Sequence, residues 1–399
     1  MFNLVNCSNS KNRHKTPQPR QADCPEKNTY LYSDLYTLPM SSPNPIRFIL
    51  AEFGIDASEF AIDDKGNNGG YSGGRIWKLT SKSDPSQCYC LKQWPQADPK
   101  QSKRQQEQIA LINQLLNHVS NSQDSLCVLP TPLQAKTGLP WVDKGGRITE
   151  LQLWLPGRPT FWEAPTDQKL VDACRMLARF HKAAESYDVS REHMTNPSPF
   201  FPAQNAAIHC VPQMGTPPGI DRRIEFIDEL NGGLRNRIAQ IANRPNQLGS
   251  LATNLLENFD RLNANLHSEL SKLRQLTFKL QFCIRDLWHD HLFFRGEKVT
   301  GIVDFGAVAK DSIATDLSRM LGSLIANETS KWEIGLREYS SIRELSDAER
   351  QLIFVYDRST TMLAGMNWLK WILLENRTFE SLAPIKERMQ RLLDRLNEW

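Results

Sequence analysis

The sequence predicts an α+β molecule of two lobes, a small β-rich lobe followed by a larger, mainly helical one. Three observations carry this. Strand-like runs and turn residues crowd the first third of the chain, helical spacing dominates the rest, and one β-rich island, residues 278–308, interrupts the helices. A length of 399 residues allows such a division, with a lead-in over 1–45, a small lobe over 46–153 and a large lobe over 154–399.

Composition excludes several classes. The 48 basic and 45 acidic residues leave a net charge of +3, too balanced for a dedicated nucleic-acid binder or a polybasic membrane binder. No apolar run has transmembrane length; the nearest, 360–374, contains Lys370. The first 30 residues are rich in Asn, Ser, Lys, Pro and Gln and predict a disordered leader without the apolar core of a secretory signal. The eight cysteines are scattered, with Cys88 and Cys90 the nearest pair, and read as reduced thiols in a cytoplasmic protein.

The elements follow in order. Residues 43–53 read as a short helix. Strands are expected over 58–62, 75–80 and 88–94, separated by the turn-rich runs 63–74 and 81–87. A helix over 100–119 places Leu111, Ile112, Leu115, Leu116 and Val119 at helical spacing. Two more strands are expected over 128–135 and 147–154, and Pro156-Gly157 ends this half. Beyond it, 168–185 is helical, 222–275 reads as two or three helices broken near Gly232-Gly233 and Pro245, and 316–399 is helical.

The island concentrates the chemistry. Phe278, Leu280, Phe282 and Ile284 alternate as a half-buried strand. A polar loop, 285–291, precedes a hairpin that turns at Gly296-Glu297. That register sets His291 opposite Ile302 and brings Asp286, His291 and Asp304 to one open end. One carboxylate that orients an attacking hydroxyl, and a second that holds a divalent ion, are what phosphoryl transfer requires.

The island resembles the aminoglycoside phosphotransferase and choline-kinase-like family, relatives of the protein kinases with a two-lobed kinase-like fold. Asp286 matches the family's catalytic aspartate and Asp304 its metal aspartate. The run from Asp316 to Leu321 matches its D-L-A-R-L-L helix start, which implies a structural role for Asp316 beneath the catalytic loop. Gly70, Ser72, Gly73 and Gly74 resemble its phosphate loop, Lys92 its phosphate-contacting lysine, and Glu150 to Gly157, with Trp154, its adenine-binding hinge. The segment 177–184 resembles its L-A-x-L-H-x-A helix. Three positions depart: Ile284 and Arg285 replace His-Gly, and His291 replaces the metal-binding asparagine. Imidazole suits manganese or zinc better than magnesium.

Glu107 lies on the inward stripe of its helix, where a carboxylate wants a partner, and Lys92 is the natural one; a solvated glutamate in a helix is the alternative. His289-Asp290-His291 as a zinc centre lacks a further ligand pair of sensible spacing. His181 reads as a satisfied core histidine, Arg222 and Arg223 as a solvated helix face, and Trp368 and Trp371 as core packing. The resemblance implies transfer of the γ-phosphoryl group of ATP, with Mg²⁺ or Mn²⁺, to a hydroxyl of a small molecule, with neither nucleic acid nor membrane as partner. Two alternatives stay open: a catalytically inactive module that binds nucleotide or a partner, and transfer of AMP.

Overall fold

The structure is a computed structural model that describes residues 45–66, 74–122, 129–187, 213–379 and 381–399. The expected leader, and Gly70, Ser72 and Gly73 of the expected phosphate loop, lie outside these residues. Residues 46–399 form one unit.

Its first part is a five-stranded antiparallel sheet in the order β1-β2-β3-β5-β4, built from β1 (Phe60–Asp64), β2 (Arg75–Ser81), β3 (Cys88–Gln93), β4 (Val142–Lys144) and β5 (Arg147–Leu153). Alternation drives it: Trp77, Leu79 and Ser81 of β2 are buried while their neighbours are not. With Leu91 and Leu151 the two apolar residues meet Ile49, Leu50 and Phe53 from helix α1 (Pro45–Glu52) and its end. Helix α2 (Pro99–Ser120) starts where the Asp98 carboxylate accepts the Lys100 and Gln101 N–H groups, with proline at the first helical position. It serves two cores: Ile109 packs with Trp141 and Ile148, whereas Ile112, Leu115, Leu116 and Val119 join the large helical core.

The strand expected over 128–135 does not form among the described residues; the contact there is a single bridge between Pro132 and Gln152. Pro130 and Pro132 have no amide hydrogen to give a ladder. The edge position goes instead to β4, whose three residues are too few to show a period.

The second part is mainly helical: α3 (Asp167–Glu185), α4 (Pro218–Glu229), α5 (Arg235–Ala242), α6 (Ser250–Leu273), α7 (Ala314–Ile325), α8 (Thr329–Ser340), α9 (Asp347–Leu369) and α10 (Ala383–Asn397). The expected break near Gly232-Gly233 is real, with Gly233 at φ +125°. Among the helices lies a small sheet of β6 (Gln213–Gly215), β7 (Phe278–Cys283) and β10 (Ala309–Asp311), with β7 in the centre.

The hairpin follows β7. Strands β8 (Leu292–Arg295) and β9 (Lys298–Ile302) turn at Gly296-Glu297 as expected, but a bulge shifts the register by one, so Leu292 rather than His291 faces Ile302. The extra residue is Thr300, whose hydroxyl donates to the Pro156 carbonyl. Gly157, at φ +96°, lies so close that a Cβ there would sit 2.6 Å from Thr300 Oγ1 and from the Phe294 carbonyl oxygen. The bulge and this glycine together seat the segment after β5 on the hairpin.

Helices α9 and α10 are joined by a buried ion pair, Arg395 Nη2 to Asp357 Oδ2 at 2.6 Å. Burial pushes the Asp357 carboxyl up to about 6 despite the guanidinium. A folded pKa above the ordinary 3.8 means that its contribution is fully present below pH 4 and lost as pH rises through 6. Asp357→Asn carries no charge at any pH. Its stability relative to wild type should therefore rise by roughly 3 kcal/mol at most between pH 4 and pH 7, read from urea midpoints; a constant difference across that range would refute this assignment.

Candidate active site

The loop after β7 is held from below. Asp316, in the first turn of α7, accepts the backbone N–H of Ile284 at 2.7 Å (Oδ2) and of Arg285 at 2.6 Å (Oδ1). His181 of α3 stands 3.0 Å from the same Oδ2 through Nε2 and 2.7 Å from the Tyr339 hydroxyl through Nδ1. His181 and Asp316 are completely buried. Burial depresses the His181 pKa below its usual value. The neutral ring therefore donates from Nε2 to the carboxylate and accepts the tyrosine proton at Nδ1. Cys283 is near, yet all three groups are spent on hydrogen bonds and form a structural cluster. Both expectations hold: Asp316 braces the loop, and His181 is a satisfied core histidine.

Three expected residues meet. Asp286, His291 and Asp304 line one cleft of about 540 Å³. Arg319, three residues after Asp316 and so near it on one helix face, donates to Asp286 Oδ1 at 2.8 Å. His291 donates from Nδ1 to the Asp286 carbonyl at 2.7 Å and accepts the Trp288 indole N–H at Nε2, 2.9 Å away. That Nε2 is also 3.9 Å from Asp304 Oδ2. Asp304 has φ +63° and receives Lys92 Nζ at 3.2 Å. Burial alone would raise its pKa; Lys92, with the Gly306 N–H, outweighs that and holds it below the usual carboxylate range.

Lys92 is where the notion of a Glu107 partner fails. Glu107 is half-buried on α2, and no ion pair joins it to Lys92. Pairing of β3 with β5 sets Glu150 directly opposite Lys92, and Asp304 approaches from the hairpin side. Glu150 is 2% exposed; it accepts the Trp94 indole N–H and, at 3.0 Å, the Gln152 amide. Burial raises the Glu150 pKa, while the ammonium and these donors oppose the shift. Trp154 follows β5, half-buried, with Lys78 Nζ 5.1 Å from its ring centre. Gly74, just before β2, is the described residue of the expected phosphate loop.

These carboxylates, loops and strands stand in the order that the sequence motifs require, and the phosphotransferase enzyme family matches residues 65–351. The chain belongs to that family. Curated relatives include the homoserine kinases of Gluconobacter oxydans, 23% identical over 227 residues, and of Agrobacterium fabrum, 24% identical over 239 residues. The matches cover 55% and 58% of this chain and 58% and 61% of those kinases, so the chain spans about three fifths of their length. Among solved structures, a spectinomycin phosphotransferase in complex with ADP and spectinomycin superposes with a TM-score of 0.55 at 12% identity, covering 87% of this chain and 95% of that one. A microcompartment-associated aminopropanol kinase gives 0.53 at 14% identity, over 88% and 94%. These likenesses establish the fold of this phosphotransferase-family chain.

Several site residues were not legible as such. Arg319 stands inside the motif that starts at Asp316, and its spacing from that residue was the available signal. The resemblance gives Glu150 to the hinge through its backbone, whereas in the fold its buried side chain stands beside Lys92. Arg222 is exposed, as a solvated helix face requires, yet its Nη2 donates to the buried Asp311 at 2.6 Å; Arg223 does not share that solvated face and stacks on Tyr356 at 3.8 Å from the ring centre. Trp368 is core-packed as expected, and both it and Trp371 also line the cleft.

The donor set fits a divalent ion in part. Asp304 offers hard oxygen, and magnesium commonly takes one or two carboxylates plus phosphate oxygens and water. His291 has the tautomer a ligand needs, but its lone pair is capped by Trp288.

Removing the brace should be costly. Asp316→Ala leaves two buried amides without an acceptor, at about 1–3 kcal/mol each. The variant should unfold about 2–6 kcal/mol more easily in urea; a loss below 1 kcal/mol would show that the loop does not lean on this carboxylate.

Proposed function

We propose that this chain transfers the γ-phosphoryl group of ATP to a hydroxyl of a small molecule. The observation that carries the reading is the meeting of Asp286 and Asp304 at one cleft, the first steadied by Arg319 and the second by Lys92. Asp286 orients the acceptor hydroxyl and takes its proton. Lys92, set by Glu150 and Asp304, meets nucleotide phosphate, and Arg319 adds positive charge at the position where charge builds up during transfer. The sequence assigns Gly70, Ser72, Gly73 and Gly74 to cover the phosphates and the segment around Trp154 to receive adenine. Glu107 is left with no part in holding Lys92. Mg²⁺ or Mn²⁺ would neutralise phosphate charge and would be held by Asp304, with His291 joining when Trp288 releases its lone pair. Positioning and electrostatics carry most of such a reaction, so few groups suffice.

The homoserine and aminopropanol kinases act, by their names, on small hydroxyl compounds that carry an amine, the first of them also a carboxylate, which supports an acceptor of modest size. In all described helices there is none long and apolar enough to cross a membrane. This is compatible with the cytoplasmic placement we propose, with small molecules as the partners.

Two measurements test the reading. Asp286→Asn should lower kcat by about 10²–10⁴ while ATP still raises the melting temperature; equal turnover by the variant, or nucleotide binding without turnover over a broad acceptor panel, would sink it. Wild type should turn over faster with Mn²⁺ than with Mg²⁺, and His291→Asn should reverse that order. An unchanged order in the variant would remove His291 from the metal site.

A further inference from the structure

The cleft carries positive charge beyond what the proposed transfer uses. Besides Arg319, which that transfer employs, Arg222, Arg223 and Arg388 line it. Its lining carboxylates are Asp286 and Asp304, and each is already matched, by Arg319 and by Lys92. Arg222 spends one Nη on Asp311, and its side chain is still 45% exposed. Arg223 donates to the Gly219 carbonyl at 2.9 Å and to Thr360 Oγ1 at 2.8 Å, while its buried Nε and that of Arg319 have no acceptor. The fold makes room for this crowding: a Cβ at Gly219 would lie 2.6 Å from the Tyr356 hydroxyl and 3.0 Å from Arg223 Nη1. Burial pulls the Arg223 pKa below its ordinary value; Tyr356 and Asp311 oppose this, and the like charges of Arg222 and Arg319 add to it to a smaller degree. Like charges held this close repel, and an entering anion relieves them.

We infer that the acceptor bears an oxyanion, a carboxylate or a phosphate, which Arg222 and its neighbours hold while its hydroxyl lies at Asp286. This rests on the phosphotransferase reading of the same cleft. Guanidinium forks match both oxyanions in a bidentate way. A polyamine acceptor, by contrast, would set ammonium groups beside four guanidiniums with no unmatched carboxylate on the lining to receive them. The apolar wall of Phe226, Leu363, Trp368 and Trp371 covers the acceptor's carbon skeleton.

Matched pairs test this with ATP and Mn²⁺ or Mg²⁺ present: 4-hydroxybutyrate against 1,4-butanediol, glycerol 3-phosphate against glycerol, and spectinomycin as the amine-rich arm. Turnover is read as ADP release, and binding as a melting shift in saturating ADP. The acid of at least one pair should exceed its neutral partner tenfold or more in kcat/KM or affinity, and the pair that responds identifies carboxylate or phosphate as the source. Arg222→Gln should erase that preference. Arg222→Lys, which keeps a charge near Asp311 and guards against misfolding, should weaken it by raising KM more than it lowers kcat. The nucleotide-induced melting shift, retained in both variants, certifies that they are folded. Equal or better use of the neutral or amine-rich compounds, or no response to either acid, overturns the oxyanion site. Oxyanion binding that Arg222→Gln abolishes, without phosphate transfer to any compound, would instead leave the site standing and overturn the phosphotransferase reading.

Discussion

One buried carboxylate sets the geometry on which the rest depends. Asp316 lies at the start of a helix and accepts two consecutive amides from the loop that bears Asp286. The helix N-terminus favours a negative charge there, and neutral His181 supplies a third hydrogen bond. A loop would otherwise lose free energy by burying unpaired amides. Fixing those two amides fixes where Asp286 and, through the His291 contact with its carbonyl, the next turn must lie. Arg319 extends the same helix face to the carboxylate itself, so one helix both anchors the loop and steadies its acidic group.

The second constraint is charge pairing across the two halves of the unit. Lys92 comes from the sheet and Asp304 from the hairpin, and they meet at 3.2 Å with Glu150 beside them. Two carboxylates around one ammonium, with indole and amide donors on Glu150, satisfy a cluster that is costly in isolation. Asp304 thereby joins Lys92 of the sheet to the cleft that Asp286 and the arginines line. The cleft is thus assembled from segments far apart in the chain, among them residues 222–226, 286–304 and 360–371.

Much of this was legible in the amino-acid sequence, for physical reasons that differ from element to element. Apolar alternation at Phe278, Leu280, Phe282 and Ile284 announces a strand although burial there does not alternate, whereas in residues 75–81 burial does alternate, and the glycine turn at 296 announces the hairpin. The acidic residues were found because their spacing along the loop and hairpin leaves little choice of position. The bulge at Thr300 was not, since one extra residue leaves the periodicity on both sides intact. Glu107 and Glu150 show the limit more sharply. Helical periodicity correctly placed Glu107 on a half-buried face, but which acid reaches Lys92 depends on strand pairing between residues nearly sixty apart. Arg223 is the one that sequence misplaces at the surface, because Tyr356, the ring it stacks on, comes from a distant helix.

Arg285 adopts φ +68°, a conformation that glycine takes without strain and that here belongs to arginine. Its amide, rather than its side chain, makes the anchoring bond to Asp316, as does that of Ile284. The shape of the loop is therefore written in main-chain atoms that every residue except proline possesses. A motif defined by letters can dissolve at these two positions while the scaffold beneath it persists, and surveys that demand the familiar His-Gly spelling would overlook enzymes built on the same brace.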